Sequence, residues 1–291
     1  RGIRFLIDAQ VEFGVIDEYN LDKLPASARV IFYPLPFCPD DKTYTRLKEF
    51  VHNGGILYLS GDISYDTFRR RTRAGRLTEL AGVEFVAENY PEIDYTRGIK
   101  KIINLTNPVK SYSGYPCIQV KPVTAQVIGE ITPESPVVFT NSFGKGRVFY
   151  TTDTYELHAP DNTLYQTFLN WAGVAVTKII PDNSGLHIFP IRTGANETGY
   201  VLFNSNSESE QHQVRVPVGD DGVTLTLRKL YPGLVLFNPD NKICAIESAG
   251  LVKVADVPIA DFTGQTIVFS LDGTELCNST ALVVLPITPG K

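Results

Sequence analysis

Residues Ala28–Ser60 carry the pattern that most restricts the fold. The run ARVIFYPLP (Ala28–Pro36) is apolar, β-branched and closed by prolines, as a buried strand would be. A segment with helical spacing follows, PDDKTYTRLKEFVHNGG. Asp40 or Asp41 can cap its start. Leu47, Phe50 and Val51 form its apolar face, and Gly54–Gly55 end it. The strand ILYLS (Ile56–Ser60) comes next. Two strands joined by a helix of this length make a βαβ crossover, which implies a parallel sheet.

More elements of the same kind are predicted around this unit. IRFLID (Ile3–Asp8) reads as a short buried strand, and Tyr65–Leu80 as a second helix carrying the basic run RRRTRAGR (Arg69–Arg76). Residues 83 to 140 are rich in strand and loop signals. A strong strand lies within Gly144–Asp153, and an amphipathic helix spans Asn162–Val174. That helix carries Trp171, the only tryptophan, read as a core residue.

Near residue 176 the pattern changes. Short alternating strands recur with turn signals every 8 to 12 residues, as in GYVLFNSN, HQVRVPV, GVTLTLRKL and GLVLFNPD, and helix signals stop. This is the signature of an antiparallel β-sandwich. The fold class is therefore α/β: a flavodoxin-like parallel-sheet domain over residues 1–176, then an antiparallel β-sandwich over 177–291. The junction falls between Gly173 and Gly185.

Composition narrows the function. A net charge of −5 leaves no broad basic surface for nucleic acid. No run of 18 apolar residues exists to span a membrane. Cys38, Cys117, Cys244 and Cys277 are scattered without a C-x-x-C pair, so they read as free thiols in a cytoplasmic protein, with neither a zinc knuckle nor a disulfide scaffold. No cofactor or metal motif is present. The chain has no methionine and begins at Arg1 before an apolar strand, so it reads as a piece of a longer protein.

Ser60 sits where a strand runs into Ser60-Gly61-Asp62, and a serine on a sharp turn after a strand is where many α/β hydrolases keep their nucleophile. Such a serine needs a base and usually an orienting carboxylate. Of the four histidines, His52 ends a helix, and His187 and His212 sit in strand patterns. His158 is the remaining partner, with Asp153 and Glu156 beside it.

Two stretches, ARVIFYPLPFCPDDKTYTRLKEFVHNGGILYLSGD and GKGRVFYTTDTYEL…LYQTFLNWAGV, resemble the class I glutamine amidotransferase fold. The form is the one found as the trimerisation domain of family 42 β-galactosidases. LHIFPIRTGANETGYVLFNSN and FSLDGTEL…ALVVLP resemble the small β-domain that ends such glycosidases. Amidotransferases carry a Gly-x-Cys-x-Gly elbow, where this chain reads Tyr58, Leu59, Ser60, Gly61, Asp62. Their His-Pro-Glu position reads Asp153, Thr154, Tyr155. The nucleophilic cysteine and the His-x-Glu pair are therefore missing.

The resemblance implies a non-catalytic, C-terminal part of a glycoside hydrolase. The carboxylate pair would sit on a preceding (β/α)₈ barrel, which this chain is too short to hold beside the sandwich. The implied partners are that barrel and further copies of the chain, as a trimer. Asp62, Tyr65, Arg69, Arg70 and Arg71, on the loop after the strand at Ser60, would face the barrel or a neighbour. Two other readings stay open. One is a serine hydrolase or amidase using Ser60 with His158 and Asp153 or Glu156. The other is a carbohydrate-binding sandwich with exposed aromatics such as Phe203, Tyr231 or Phe237.

Overall fold

The computed structural model describes residues 5–6, 9, 11–89, 101–111, 117–158, 162–174, 186–193, 197–204, 211–218, 221–229, 231–240, 242–254, 256–261, 267–271 and 274–279. The chain divides into two compact units: Arg1–Phe5 with Gly14–Ala175, and Leu6–Phe13 with Val176–Lys291. A short stretch near the start thus groups with the second unit. There Arg192 pairs with Glu12 (Nε to Oε1, 3.1 Å).

In the first unit the βαβ element forms as its sequence dictates. Strand β1 (Val30–Tyr33), helix α1 (Asp41–His52) and strand β2 (Ile56–Ser60) follow in order, and β1 and β2 pair in parallel with Val30 opposite Ile56. Asp40, not Asp41, caps the helix: its Oδ1 accepts from the Thr43 amide at 2.6 Å. Asp41 instead holds Arg73 and Arg76, which keep its carboxyl well below the usual range.

Next come β3 (Val83–Asn89), β4 (Lys101–Ile103), β5 (Val109–Ser111), β6 (Cys117–Pro122), β7 (Gln126–Glu130), β8 (Pro136–Phe143) and β9 (Gly146–Thr151). Helices α2 (Tyr155–His158) and α3 (Thr163–Ala172) close the unit. The main sheet has the order β1-β2-β9-β8-β7. β1, β2 and β9 pair in parallel, while β8 runs against both its neighbours, β9 and β7, so the sheet is mixed rather than wholly parallel. A tight turn joins β8 to β9, and a hairpin can only pair antiparallel.

The sheet has one face of each kind. Leu57 and Leu59 point toward α1 and pack with Leu47, Val51 and Val148. The opposite face is aromatic. Phe32 stacks on Tyr58 (ring centroids 4.5 Å), and Phe168 of α3 meets Tyr58 at 5.1 Å and Phe149 at 5.5 Å. Trp171 lies against Phe149 with the Arg147 guanidinium over its ring.

Two sequence expectations fail here. Phe5 and Leu6, the described residues of the expected strand Ile3–Asp8, are helical, and Phe5 is buried against Tyr165. The helix expected over Tyr65–Leu80 is a loop, with only a π-helical turn at Leu77–Ala81, ended by Gly82 in the left-handed region (φ 71°). Asp66 is the reason. Its Oδ1 accepts from the Phe68 and Arg70 amides (2.9 and 3.0 Å), and its Oδ2 from Thr72 Oγ1 and Arg70 Nε (2.8 and 3.2 Å). Its carbonyl accepts from the Arg69 amide. A side chain that takes up the following amides competes with helical bonding. These donors, the Arg70 amide first, lower the Asp66 carboxyl to about 2.

The strand pairs described in the second unit are all antiparallel. One sheet has the order β10-β11-β14-β15, with β10 Leu186–Arg192, β11 Thr198–Asn204, β14 Pro232–Phe237 and β15 Ile243–Glu247. The other has the order β12-β13-β16-β17-β18-β19, from β12 (Gln211–Val218) and β13 (Asp221–Arg228) to β19 (Thr274–Ser279). Ile188, Leu202 and Val235 of the first sheet share one core with Val216, Leu225 and Val252 of the second. Two sheets joined through one apolar layer make a sandwich.

Candidate functional site

The carboxyl end of the parallel strands is where open α/β sheets keep their functional loops. Four segments meet at this end of β2. Ser60 lies opposite Thr151 of β9, the Gly61 amide donates to the Thr151 carbonyl at 2.9 Å, and Tyr150 Oη donates to the Gly61 carbonyl at 2.7 Å. Gly61 has φ 76°, a turn that suits glycine.

Ser60 Oγ accepts from the Leu35 amide at 2.8 Å and donates to Glu156 Oε2 at 2.9 Å. Tyr58 Oη donates to Glu156 Oε1 at 2.7 Å. Strand alternation puts Tyr58 and Ser60 on one face, so one carboxylate reaches both hydroxyls. All three residues are buried. Burial raises the Glu156 carboxyl; the two hydroxyl donors pull it the other way, and the charge of Asp153 adds to the rise. Burial also pushes the Tyr58 hydroxyl well up.

This geometry makes Ser60 a crosslink. Its oxygen is held by the loop after β1 and its proton by the segment after β9, and none of its surface is exposed. The structure brings Ser60 and Glu156 together and buries Asp153 nearby. His158 belongs to α2, and its side chain lies outside the described residues. Cys38, at the end of the same loop, has its thiol pushed up by burial, against the pull of Arg69. Tyr58 was missed by sequence reading, although the alternation Tyr58-Leu59-Ser60 signals its shared face with Ser60.

The loop after β2 carries the arginines, which differ sharply in environment. Arg71 pairs with Asp62 (Nη1 to Oδ2, 2.7 Å) and Glu88, and donates to Tyr65 Oη at 2.8 Å. Its guanidinium lies over the Phe85 ring at 4.0 Å and the Tyr65 ring at 4.7 Å. Asp62, Tyr65 and Arg71 are thus tied to one another and to β3. Arg70 pairs with Asp66 and covers Phe68, while Arg69 covers Phe37. Both aromatic rings face solvent, Phe37 at 71% and Phe68 at 76% exposure.

A stability difference follows. Arg71→Ala is expected to cost about 1–3 kcal/mol, since it strips two carboxylates of a half-buried charged donor. Arg69→Ala is expected to stay within about 0.5 kcal/mol of wild type. Denaturant unfolding followed by Trp171 fluorescence checks both.

In the sandwich, Phe237 is buried in the core, Phe203 is half-buried, and Tyr231 is 60% exposed beneath Arg228. These three do not form an exposed aromatic platform. Among the described residues no cluster of three His, Cys, Asp or Glu side chains is placed to hold a metal, and no helix is long and apolar enough to cross a membrane.

No family model and no curated protein sequence matches the chain. Its fold, however, is similar to that of solved glycoside hydrolases. Gan42B, a GH42 β-galactosidase from G. stearothermophilus, matches 81% of this chain with TM-score 0.61 at 16% identity. The β-galactosidase from Bacillus circulans sp. alkalophilus matches 80% with TM-score 0.56 at 16% identity, and that from Rahnella sp. R3 matches 80% with TM-score 0.58 at 15% identity. The chain spans 35%, 36% and 35% of these three proteins, about a third of each.

Proposed function

We propose that this chain is the non-catalytic, C-terminal region of a glycoside hydrolase of the β-galactosidase kind. In this reading it serves assembly and supports the active site of a (β/α)₈ barrel carried elsewhere in the same polypeptide. The observation that carries the reading is the extent of the fold similarity: four-fifths of this chain aligns with only a third of the GH42 enzymes. The crosslinked state of Ser60 agrees with it, because a fully buried hydroxyl held on both sides does not meet a substrate. The contact face toward the barrel or a neighbouring copy is the end of the sheet that presents Phe37, Phe68, Arg69 and Arg70. Asp62, Tyr65 and Arg71 brace that face from within.

Mass spectrometry of the natural gene product, with β-galactoside hydrolysis measured on that product and on this chain alone, tests the reading. The product is expected to exceed this chain by at least a barrel of about 250 residues. It should hydrolyse the glycoside, and the isolated chain should not. A natural product equal to this chain, or an isolated chain whose hydrolysis is abolished by Ser60→Ala, would overturn it.

A further inference from the structure

Phe5 and Leu6 are adjacent and both buried, yet they belong to different units. Phe5 packs against Tyr165 of the first unit, with ring centroids 4.7 Å apart. Leu6 opens the stretch Leu6–Phe13, which groups with the sandwich, and at Gly14 the chain returns to the first unit. The detour is ordered at its described residues. The Val11 amide donates to the Leu6 carbonyl at 3.1 Å, which closes a turn, and Val11 is half-buried. A segment that leaves one unit, turns and returns is held in place by what it meets there.

What it meets is the end of β10, the first strand in the order β10-β11-β14-β15; among the described residues no strand pairs with its other side. The sequence of β10, LHIFPIR, is mostly apolar up to its final arginine. An open edge of this kind offers backbone groups to any further strand, and folded proteins cover or interrupt it. Pro190 interrupts β10 at one point, since it has no N–H. Arg192, the last residue, holds Glu12 by two nitrogens: Nε to Oε1 at 3.1 Å and Nη2 to Oε2 at 3.4 Å. This two-pronged grip is the geometry in which arginine holds a carboxylate best. An ordered turn places the guanidinium: the Thr193 amide donates to the Glu197 carbonyl at 2.9 Å, and Thr193 Oγ1 to Glu197 Oε2 at 2.9 Å. Arg192 and Glu12 nevertheless stay in solvent, at 56% and 50% exposure, so the pair is a fastening that can open.

We propose that Leu6–Phe13 is a strap over the open edge of β10, fastened by Glu12 to Arg192, which opens without unfolding either unit. Closed, it denies the edge of the sandwich to another strand. Open, it exposes that edge and frees the segment. The charge pair sets the balance between the two states, because it is the part of the strap that water and salt reach. The inference concerns this chain alone and does not rest on the glycosidase reading.

Amide hydrogen exchange on the whole chain, resolved by residue, tests it. Arg192→Glu alone and Glu12→Arg alone should each speed exchange of the Val11 amide by about fivefold or more, because like charges then face each other across the fastening. The double variant Glu12→Arg/Arg192→Glu should recover most of the protection. The β10 amides that do not pair with β11 should speed up together with Val11, while those of the inner strand β14 keep their wild-type rates. High salt should act on wild type in the same direction as the single variants. Both side chains lie at the surface, so the variants fold, and an unchanged melting temperature checks this. A Val11 rate equal in wild type and both single variants, a double variant that does not recover, or β10 amides that ignore the strap overturns the proposal. Equal acceleration in β14 also overturns it, since the sandwich would then be opening as a whole.

Discussion

Glu156→Ala is expected to destabilise the α/β unit by about 3 kcal/mol or more. The carboxylate accepts from Tyr58 and Ser60 in a buried position, so its removal strands two hydroxyl donors, each costing about 1–3 kcal/mol when left without a partner. The loop after β1 should loosen too, because Ser60 Oγ also holds the Leu35 amide, at a residue with φ 48°. Trp171, the only tryptophan, sits on α3 of the same unit and reports its unfolding separately from the sandwich. The triple variant Tyr58→Phe/Ser60→Ala/Glu156→Leu removes both hydroxyl donors and their shared acceptor, leaves only the Leu35 amide without its acceptor, and should be less destabilised than Glu156→Ala. Equal losses would mean that the hydrogen bonds contribute little and that packing volume decides.

The same carboxylate has a pH signature. Its folded value is raised, by burial first, above an unfolded value of about 4.3. The stability linked to it is fully present below the unfolded value and is lost as the pH rises through the folded one. Asp66 and Asp41 act in the opposite sense, since both are lowered in the fold. The difference between wild type and Glu156→Gln isolates Glu156. Wild type should lose stability relative to Glu156→Gln as pH rises from about 4. A difference that does not change with pH would show that Glu156 does not titrate in this window.

Phe168→Ala is the second large effect, at about 3–5 kcal/mol. The ring is fully buried on the aromatic face of the sheet, against Tyr58, Phe149, Phe32 and Trp171. Neighbours drawn from three strands and a helix cannot close over the vacated volume, so the cavity term adds to the lost transfer energy. Phe168→Leu fills most of that volume and should cost less than about 2 kcal/mol. Urea unfolding of the two variants side by side checks the ratio; similar losses would point to specific ring geometry rather than volume.

Much of the fold was legible because its signals are local. Asp40, the apolar positions Leu47 and Val51, and Gly54 mark helix α1 within one short window, and the runs on either side mark β1 and β2. The same windows mislead where a side chain competes with the backbone. Tyr65–Leu80 has helical spacing, yet Asp66 gathers the amides that a helix would use. Nothing in the spacing tells whether a single aspartate will cap its own turn or face solvent. The mixed sheet was hidden for a related reason: a strand signal does not say which way its partner runs.

The candidate site was legible only in part. Ser60, Glu156 and the arginine loop stand out by residue type, but their roles depend on contacts across 96 positions of sequence in the case of Ser60 and Glu156. The sequence by itself determined the two-part architecture and the βαβ unit, because each follows from residue type and short-range spacing. Only the tertiary structure decided that Ser60 is a buried crosslink and that Arg71 is spent internally while Arg69 faces outward. Burial and charge pairing are properties of what the chain brings together from afar, and a window of neighbouring residues does not contain them.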